Sequence, residues 1–189
     1  PSFYQRIAQR VAESESTSKP LTIQQLLGGN LWACICGGAH LPVDTFDFFH
    51  ARGVTLLPGY GLTESSPLLT INRSPAEWDG LDPCERARRL SLAGVPAVGV
   101  RMAVDTEGEI LARSNHVYEG YWNQPEETAK AFSSDGWFKS GDLGVRDAEG
   151  RTIFKGRLRE VLRISHFMVA PAEIEAFIMT HPKVSQAFV

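Results

Sequence analysis

Leu31-Trp32-Ala33-Cys34-Ile35-Cys36 and Val54-Thr55-Leu56-Leu57 are two apolar runs of strand length. Each runs into glycine. Gly37-Gly38-Ala39 follows the first, and Pro58-Gly59-Tyr60-Gly61-Leu62-Thr63-Glu64-Ser65-Ser66 follows the second. Between them, residues 42–52 carry Pro42 at a first turn, an apolar stripe at Val43, Phe46 and Phe49, and Gly53 as a stop. That pattern predicts a helix. Strand, helix and strand make a βαβ unit, with a parallel pair and a right-handed crossover. In open α/β sheets, ligands bind beyond the carboxyl ends of the strands. Both glycine loops sit at such ends, so they should be neighbours.

The second loop has the richer chemistry. Gly59 and Gly61 let the backbone bend sharply and approach a ligand closely. Thr63 can donate to a phosphate oxygen, and Glu64 offers a carboxylate to a hard cation such as Mg²⁺, which prefers oxygen ligands. Together these residue types suit a loop that grips a metal-bound polyphosphate. A plain turn after a strand would use the same residues, because a lone glycine motif carries little information.

Working outward, residues 3–11 place Phe3, Tyr4, Ile7, Ala8 and Val11 at helical spacing, and residues 13–19 read as a polar loop. A short helix over 21–27 is stopped by Gly28-Gly29. Residues 68–72 suggest a further strand. Residues 73–89 read as a long polar surface loop in which Arg86, Arg88 and Arg89 either bind an anion or are simply solvated. From Leu92 onward, short apolar pieces alternate with turns such as Glu107-Gly108, the texture of a small β barrel or sandwich. Asp147-Ala148-Glu149-Gly150 is an acidic turn before another strand. Residues 158–164 alternate charge and apolarity. Residues 171–179 predict a helix with Ala172, Ile174, Phe177 and Ile178 on its apolar side and Glu173 and Glu175 exposed. Pro182 blocks its continuation, and residues 184–189 read as the start of a strand in an incomplete domain.

The expected class is α/β: a parallel-sheet subdomain over 1–90, a β-rich distorted-barrel subdomain over 91–158, and the hinge and beginning of a small α+β domain over 159–189. The chain has 189 residues, 43% apolar and 22% charged, with a net charge of -3. This balance gives no electrostatic case for nucleic acid or an anionic membrane. No apolar run approaches the roughly 20 residues a membrane helix needs, and the opening residues lack the design of a signal peptide. Three cysteines, Cys34, Cys36 and Cys84, form no metal-binding spacing. Cys34 and Cys36 alternate in a strand and should face the same side as small core residues. A reduced, cytoplasmic protein is the default. Nothing in the sequence speaks to oligomeric state.

Gly59-Tyr60-Gly61-Leu62-Thr63-Glu64-Ser65-Ser66-Pro67 resembles the signature of the adenylate-forming enzymes, which include acyl-CoA synthetases, luciferase-like enzymes and peptide-synthetase adenylation domains. Further motifs of that family follow in order, so the resemblance runs from about Tyr4 to Val189. It implies an AMP-forming acid–thiol ligase using ATP, Mg²⁺, a carboxylic acid and CoA. Gly37-Gly38-Ala39 looks like the loop that lines the acyl pocket and touches adenine; on its own it reads equally as a strand-ending turn. Gly59, Tyr60, Gly61, Leu62 and Thr63 would line the nucleotide, with Thr63 at the α-phosphate and Glu64 on the metal.

Gly108-Glu109-Ile110, with residues 117–122, resembles a structural motif of the β subdomain. Residues 136–143 look like the family's Thr-Gly-Asp motif with Ser140 in place of the usual threonine. Asp142 would accept from both ribose hydroxyls, since a carboxylate's two oxygens suit a vicinal diol; viewed alone it is a turn residue. Gly156-Arg157-Leu158-Arg159-Glu160 resembles the hinge motif. Arg157 would contact ribose or phosphate, and Arg159 takes the hinge position where relatives carry Asp or Lys. Arg163 falls where many acyl-CoA ligases have a lysine serving the thioester step. Phe167 to Glu175 resembles the start of a family helix.

His166 replaces a glycine-containing hairpin on the path of the CoA thiol. It is an exposed residue, an obstruction to CoA, or a base for the thiol. The phosphate loop and the catalytic lysine of the family would lie before residue 1 and after residue 189. The opening helix and the Thr-Glu-Ser-Ser-Pro variant favour a fatty-acyl-CoA synthetase. An aryl-acid or stand-alone adenylating enzyme is the alternative within the family, and a non-catalytic nucleotide-binding module the alternative outside it.

Overall fold

The computed structural model describes residues 2–189 except 39, 40, 74, 165, 166, 170, 182, 185 and 186; the side chains of residues 2, 163, 164, 167, 168, 172, 173 and 176 are likewise outside the description. The chain divides into two compact units, residues 1–98 and 99–189.

The first unit begins with α1 (Ser2–Ser14) and α2 (Ile23–Leu27). Thr22 caps α2 reciprocally: its hydroxyl accepts the Gln25 N–H at 3.1 Å, and the Gln25 side chain accepts the Thr22 N–H at 2.8 Å. Gly28, at φ 94°, ends the helix in the left-handed region that glycine adopts without strain. β1 (Ala33–Cys36), α3 (Val43–His50) and β2 (Thr55–Tyr60) form the expected βαβ unit, with β1 and β2 parallel and Cys36 opposite Pro58. Phe46 and Phe49 of α3 are buried with Ile7, Val11, Ile23, Leu56 and Leu90 in one core. Burying each phenylalanine contributes about 1.5–3 kcal/mol relative to leaving it in water. Tyr4 of α1 meets Phe49 edge-on and donates its hydroxyl to the Ile35 carbonyl at 2.7 Å, which ties the helix to β1.

β2 continues through Pro58, Gly59 and Tyr60, residues that the sequence placed in the loop. Those three are held because β3 (Thr70–Ile71) returns antiparallel beside them, and β4 (Val95–Pro96) pairs with β3 in turn. The expected loop over 73–89 is corrected: residues 83–90 form α4 (Pro83–Leu90). Asp82 caps it by accepting the N–H groups of Cys84 and Glu85, and Pro83 sits at its first turn. The arginines there are paired. Arg86 is 7% exposed and bonds Asp79 at 2.7 Å. Arg88 and Arg89 both bond Glu85, and those two hydrogen bonds, Arg88's first, hold its carboxyl down at about 2.

Cys36 is buried, Cys34 half-buried and Cys84 exposed. Burial pushes the Cys36 thiol up to about 11. At pH 8 its thiolate fraction is then about one in a thousand. Iodoacetamide is expected to label Cys84 of the folded chain at pH 8 while Cys36 reacts about a hundredfold more slowly or worse. Peptide mass spectrometry over a time course measures both, and equal rates would mean that β1 is not covered as described.

The second unit holds β5 (Arg101–Val104), β6 (Glu109–Arg113), β7 (Phe138–Arg146) and β8 (Thr152–Arg157) in an antiparallel sheet of that order. This open, β-rich half-barrel is the second texture expected from the sequence. The 147–150 turn is present, with Asp147 accepting the N–H groups of Glu149 and Arg151. α5 (Pro125–Ala131) lies between β6 and β7 and was not foreseen. β9 (Leu162–Ile164) and β10 (Phe167–Val169) form a hairpin before α6 (Pro171–Met179). Two expectations fail here. Glu175, expected to be exposed, is half-buried and accepts the Val189 N–H at 3.1 Å, while the apolar Phe177 and Ile178 are 77% and 40% exposed. The described residues among 184–189 form no strand. Among the described residues, no helix is long and apolar enough to cross a membrane.

Candidate functional site

The two glycine loops of the first unit are neighbours, as the βαβ topology requires. A Cβ built on Gly37 would lie 2.9 Å from the Gly59 carbonyl oxygen. That leaves room for glycine alone without movement of one strand. Gly38 takes φ 83°, the left-handed region. Ala39 lies outside the described residues.

From Tyr60 the chain passes through Gly61 and Leu62 into a single 3-10 turn, Thr63–Ser65. Ser65 is fully buried and locks that turn: its hydroxyl donates to the Leu62 carbonyl and accepts the Leu62 N–H, both at 2.9 Å. Thr63 is thereby left exposed and Glu64 half-buried. A hydroxyl and a carboxylate side by side on a fixed turn form an oxygen-donor set of the kind a hard cation or a phosphate recognises. Ser65 was not singled out in the sequence, although its spacing from Leu62 is that of a local side-chain cap.

The backing of the loop was also not legible. The Leu69 N–H donates to the Tyr60 carbonyl and the Asn72 N–H to the Pro58 carbonyl, each at 2.8 Å. Asn72 is 2% exposed, and its amide nitrogen donates to the carbonyls of Arg89, Leu90 and Leu92 at 2.6, 3.1 and 3.0 Å. One side chain therefore ties the end of α4 to the strand behind the glycine loop.

In the second unit, Asp142 lies in β7 at 1% exposure. β7 is irregular there. Leu111 faces Lys139 and Glu109 faces Leu143, so Ser140, Gly141 and Asp142 together oppose Ile110. Gly141 has φ 70°. Two extra residues in one strand, one of them a left-handed glycine, make an extended β-bulge, which bends the strand and re-aims the side chain that follows. Asp142 pairs in register with Arg157, and Oδ1 lies 3.3 Å from the arginine Nε. Arg157 is the more open partner, its side chain 45% exposed against 2% for Asp142.

Arg159 follows in the 158–160 turn with its side chain 80% exposed, 3.9 Å from Glu160. Arg163 is placed by its backbone opposite Met168 in the β9–β10 hairpin; its side chain and His166 lie outside the described residues. The structure thus brings Gly37, Gly38, Gly59, Tyr60, Gly61, Leu62, Thr63 and Glu64 to one end of the first sheet, and Asp142 and Arg157 to one rung of the second.

The first unit presents threonine and glutamate on a glycine-walled loop, and the second presents aspartate beside arginine on a bulged strand. The sequence profile described as AMP-binding enzyme matches residues 1–122, and the chain belongs to that family. It is 35% identical over 168 residues to a long-chain-fatty-acid–CoA ligase, FadD15, of Mycobacterium bovis, covering 88% of this chain and 26% of that protein. It is 34% identical over 161 residues to 4-coumarate–CoA ligase 1 of Glycine max, covering 81% and 55%. Among solved structures, ATP-bound MatB from Rhodopseudomonas palustris matches all of this chain and 36% of its own at 31% identity, with a TM-score of 0.77. The chain therefore spans about a quarter of the mycobacterial relative's length.

Proposed function

We propose that this chain is part of an ATP-dependent carboxylate–CoA ligase. The observation that carries the reading is the Ser65-locked turn, which presents Thr63 and Glu64 in a loop whose backbone is too closely approached at Gly61 to admit a side chain there. In the proposed reaction a substrate carboxylate oxygen attacks the α-phosphorus of ATP, the bond to the β-phosphate breaks, and pyrophosphate leaves. The CoA sulfur then attacks the acyl carbonyl, AMP leaves with the acyl oxygen, and the thiol proton passes to solvent. Thr63 donates to the α-phosphate. Glu64 would hold Mg²⁺, for which a half-buried carboxylate on a fixed turn is a fitting donor; the ion supplies charge neutralisation on the polyphosphate. Asp142 accepts from the ribose hydroxyls, and Arg157, its exposed partner, contacts ribose or phosphate. Arg159 serves as the hinge between the two half-reactions, and Arg163 and His166 lie on the thiol's route. Fixed groups aimed at developing charge do most of the work in such a transfer.

The acid is proposed to be a fatty acid, on the opening helix and the Thr-Glu-Ser-Ser-Pro run. The 34% identity to a 4-coumarate ligase keeps an aryl acid as the second reading. The test is acid-dependent ATP–pyrophosphate exchange by the full natural protein with a panel of fatty and aryl acids. Glu64→Gln is expected to slow exchange by roughly a hundredfold or more. Near-normal exchange in the variant would remove Glu64 from the metal. No exchange with any acid, alongside retained ATP binding, would favour a non-catalytic nucleotide-binding module.

A further inference from the structure

Glu109 opens β6 and is 6% exposed. A carboxylate at that depth is found where something pairs with it. Its Oε2 lies 3.9 Å from the Lys139 ammonium, too far for a hydrogen bond. Its Oε1 accepts the backbone N–H of Gly141 at 2.9 Å. Gly141 is the left-handed residue of the bulge that carries Asp142. A bulge leaves residues outside the ladder, and of the N–H groups left over here Glu109 takes that of Gly141.

The rest of the turn is fixed from β6, from within β7 and from the end of β8. The Ser140 hydroxyl donates to the Ile110 carbonyl at 2.7 Å and accepts the Asp142 N–H at 3.1 Å. The Gly141 carbonyl accepts the Leu158 N–H at 2.8 Å, linking the bulge to the residue after Arg157. Remove the Glu109 acceptor and a part-buried N–H loses its partner within the bulge, which favours a shift of the bulge that hydrates it.

We propose that Glu109 is a positioning residue for nucleotide recognition: through the Gly141 N–H it sets the bulge that aims Asp142. This rests on the reading of Asp142 as the ribose acceptor. If only the bulk of Glu109 mattered, methionine would serve; if its acceptor matters, an oxygen must remain where Oε1 is.

The experiment measures binding of ATP and of 2′,3′-dideoxy-ATP to the full natural protein and to Glu109→Met, Glu109→Gln and Asp142→Ala, with thermal melts alongside. Methionine matches the volume without an acceptor, and glutamine keeps an amide oxygen for Gly141. Glu109→Met is expected to lower the preference for ATP over the dideoxy analogue about tenfold, with the analogue's own affinity unchanged. Glu109→Gln is expected to retain the preference. A Glu109→Met protein that loses both nucleotides equally, or keeps the preference, overturns the proposal, as does a Glu109→Gln protein that fails like the methionine variant. Should Glu109→Met not fold, Glu109→Asp, which keeps the charge but not the reach, is read by the same two outcomes. Asp142→Ala separates the layers. If it leaves the preference intact, the ribose reading falls and this inference with it; if it removes the preference while Glu109→Met does not, only this inference falls.

Discussion

Gly61→Ala is expected to destabilise the first unit by about 3 kcal/mol or more, the upper range for overpacking. A Cβ at this position would lie 1.9 Å from the Pro67 carbonyl oxygen, 2.8 Å from its carbon and 2.9 Å from the Leu69 nitrogen. All three are backbone atoms, so no rotamer change relieves the clash. The neighbours are held as well. Leu69 donates to Tyr60 on one side, and Ser65 locks Leu62 on the other. To admit one methyl group, either the β2–β3 pairing opens or the turn carrying Thr63 and Glu64 is displaced. Gly80→Ala is the control, since a Cβ there meets nothing within 4 Å. Urea denaturation of both variants decides the matter. If Gly61→Ala unfolds at the same midpoint as Gly80→Ala, the close approach described here does not exist in solution.

Asn72→Asp is expected to cost as much, and in a way that depends on pH. The substitution keeps the shape and replaces the amide donor with a carboxylate facing the Arg89, Leu90 and Leu92 carbonyls. A buried charge opposite three acceptors is strongly unfavourable, so the new carboxyl holds its proton in the folded state. Its folded pKa then lies above the unfolded value of about 3.9, the folded state binds more protons than the unfolded one, and stability falls as pH rises. The deficit relative to the parent is therefore smallest near pH 4 and grows toward pH 7, reaching about 3 kcal/mol or more. Asn72→Leu removes the donor without adding a titrating group. It is expected to cost about 1–3 kcal/mol at every pH. Urea midpoints across that range test both; a flat profile for Asn72→Asp would show that water reaches the site.

The contrast between what could and could not be read from the sequence follows from the range of the interactions. β1, α3 and β2 announce themselves because their apolar residues recur at the period of the element, and Phe46 and Phe49 are buried as their stripe requires. α4 offers only Ala87 and Leu90 as buried apolar members, and one of its inward-facing positions is an arginine, Arg86, neutralised by Asp79. Periodicity fails on such a helix. The signal that was present is Asp82-Pro83 with Glu85 in the first turn, a start without a stripe. α5 begins the same way, with Pro125-Glu126-Glu127. In the candidate site, the glycines, Thr63, Glu64 and Asp142 can be proposed from the sequence because their chemistry is their own. Ser65, Asn72 and Glu109 were not given a site role because each acts through a backbone group elsewhere, up to 32 residues away for Glu109. Phe177 and Ile178 mark the opposite limit: an apolar pattern on α6 says that a face is apolar, not that anything covers it.

The clasp between Asn72 and the end of α4 has a consequence in time. The ribosome delivers a chain from its N-terminus at about 5–20 residues per second. When Pro58 to Glu64 emerge, neither β3 nor Arg89, Leu90 and Leu92 have yet left the ribosomal tunnel. Thr70 must likewise wait for the Ala93 carbonyl, to which its hydroxyl donates, and Leu69 for the Ala97 N–H. For a few seconds of each round of synthesis, the nascent loop has its glycines but no wall to lean on. A segment with β2's apolar content, its β3 edge unpaired at the mouth of the tunnel, is open to capture by chaperones during translation.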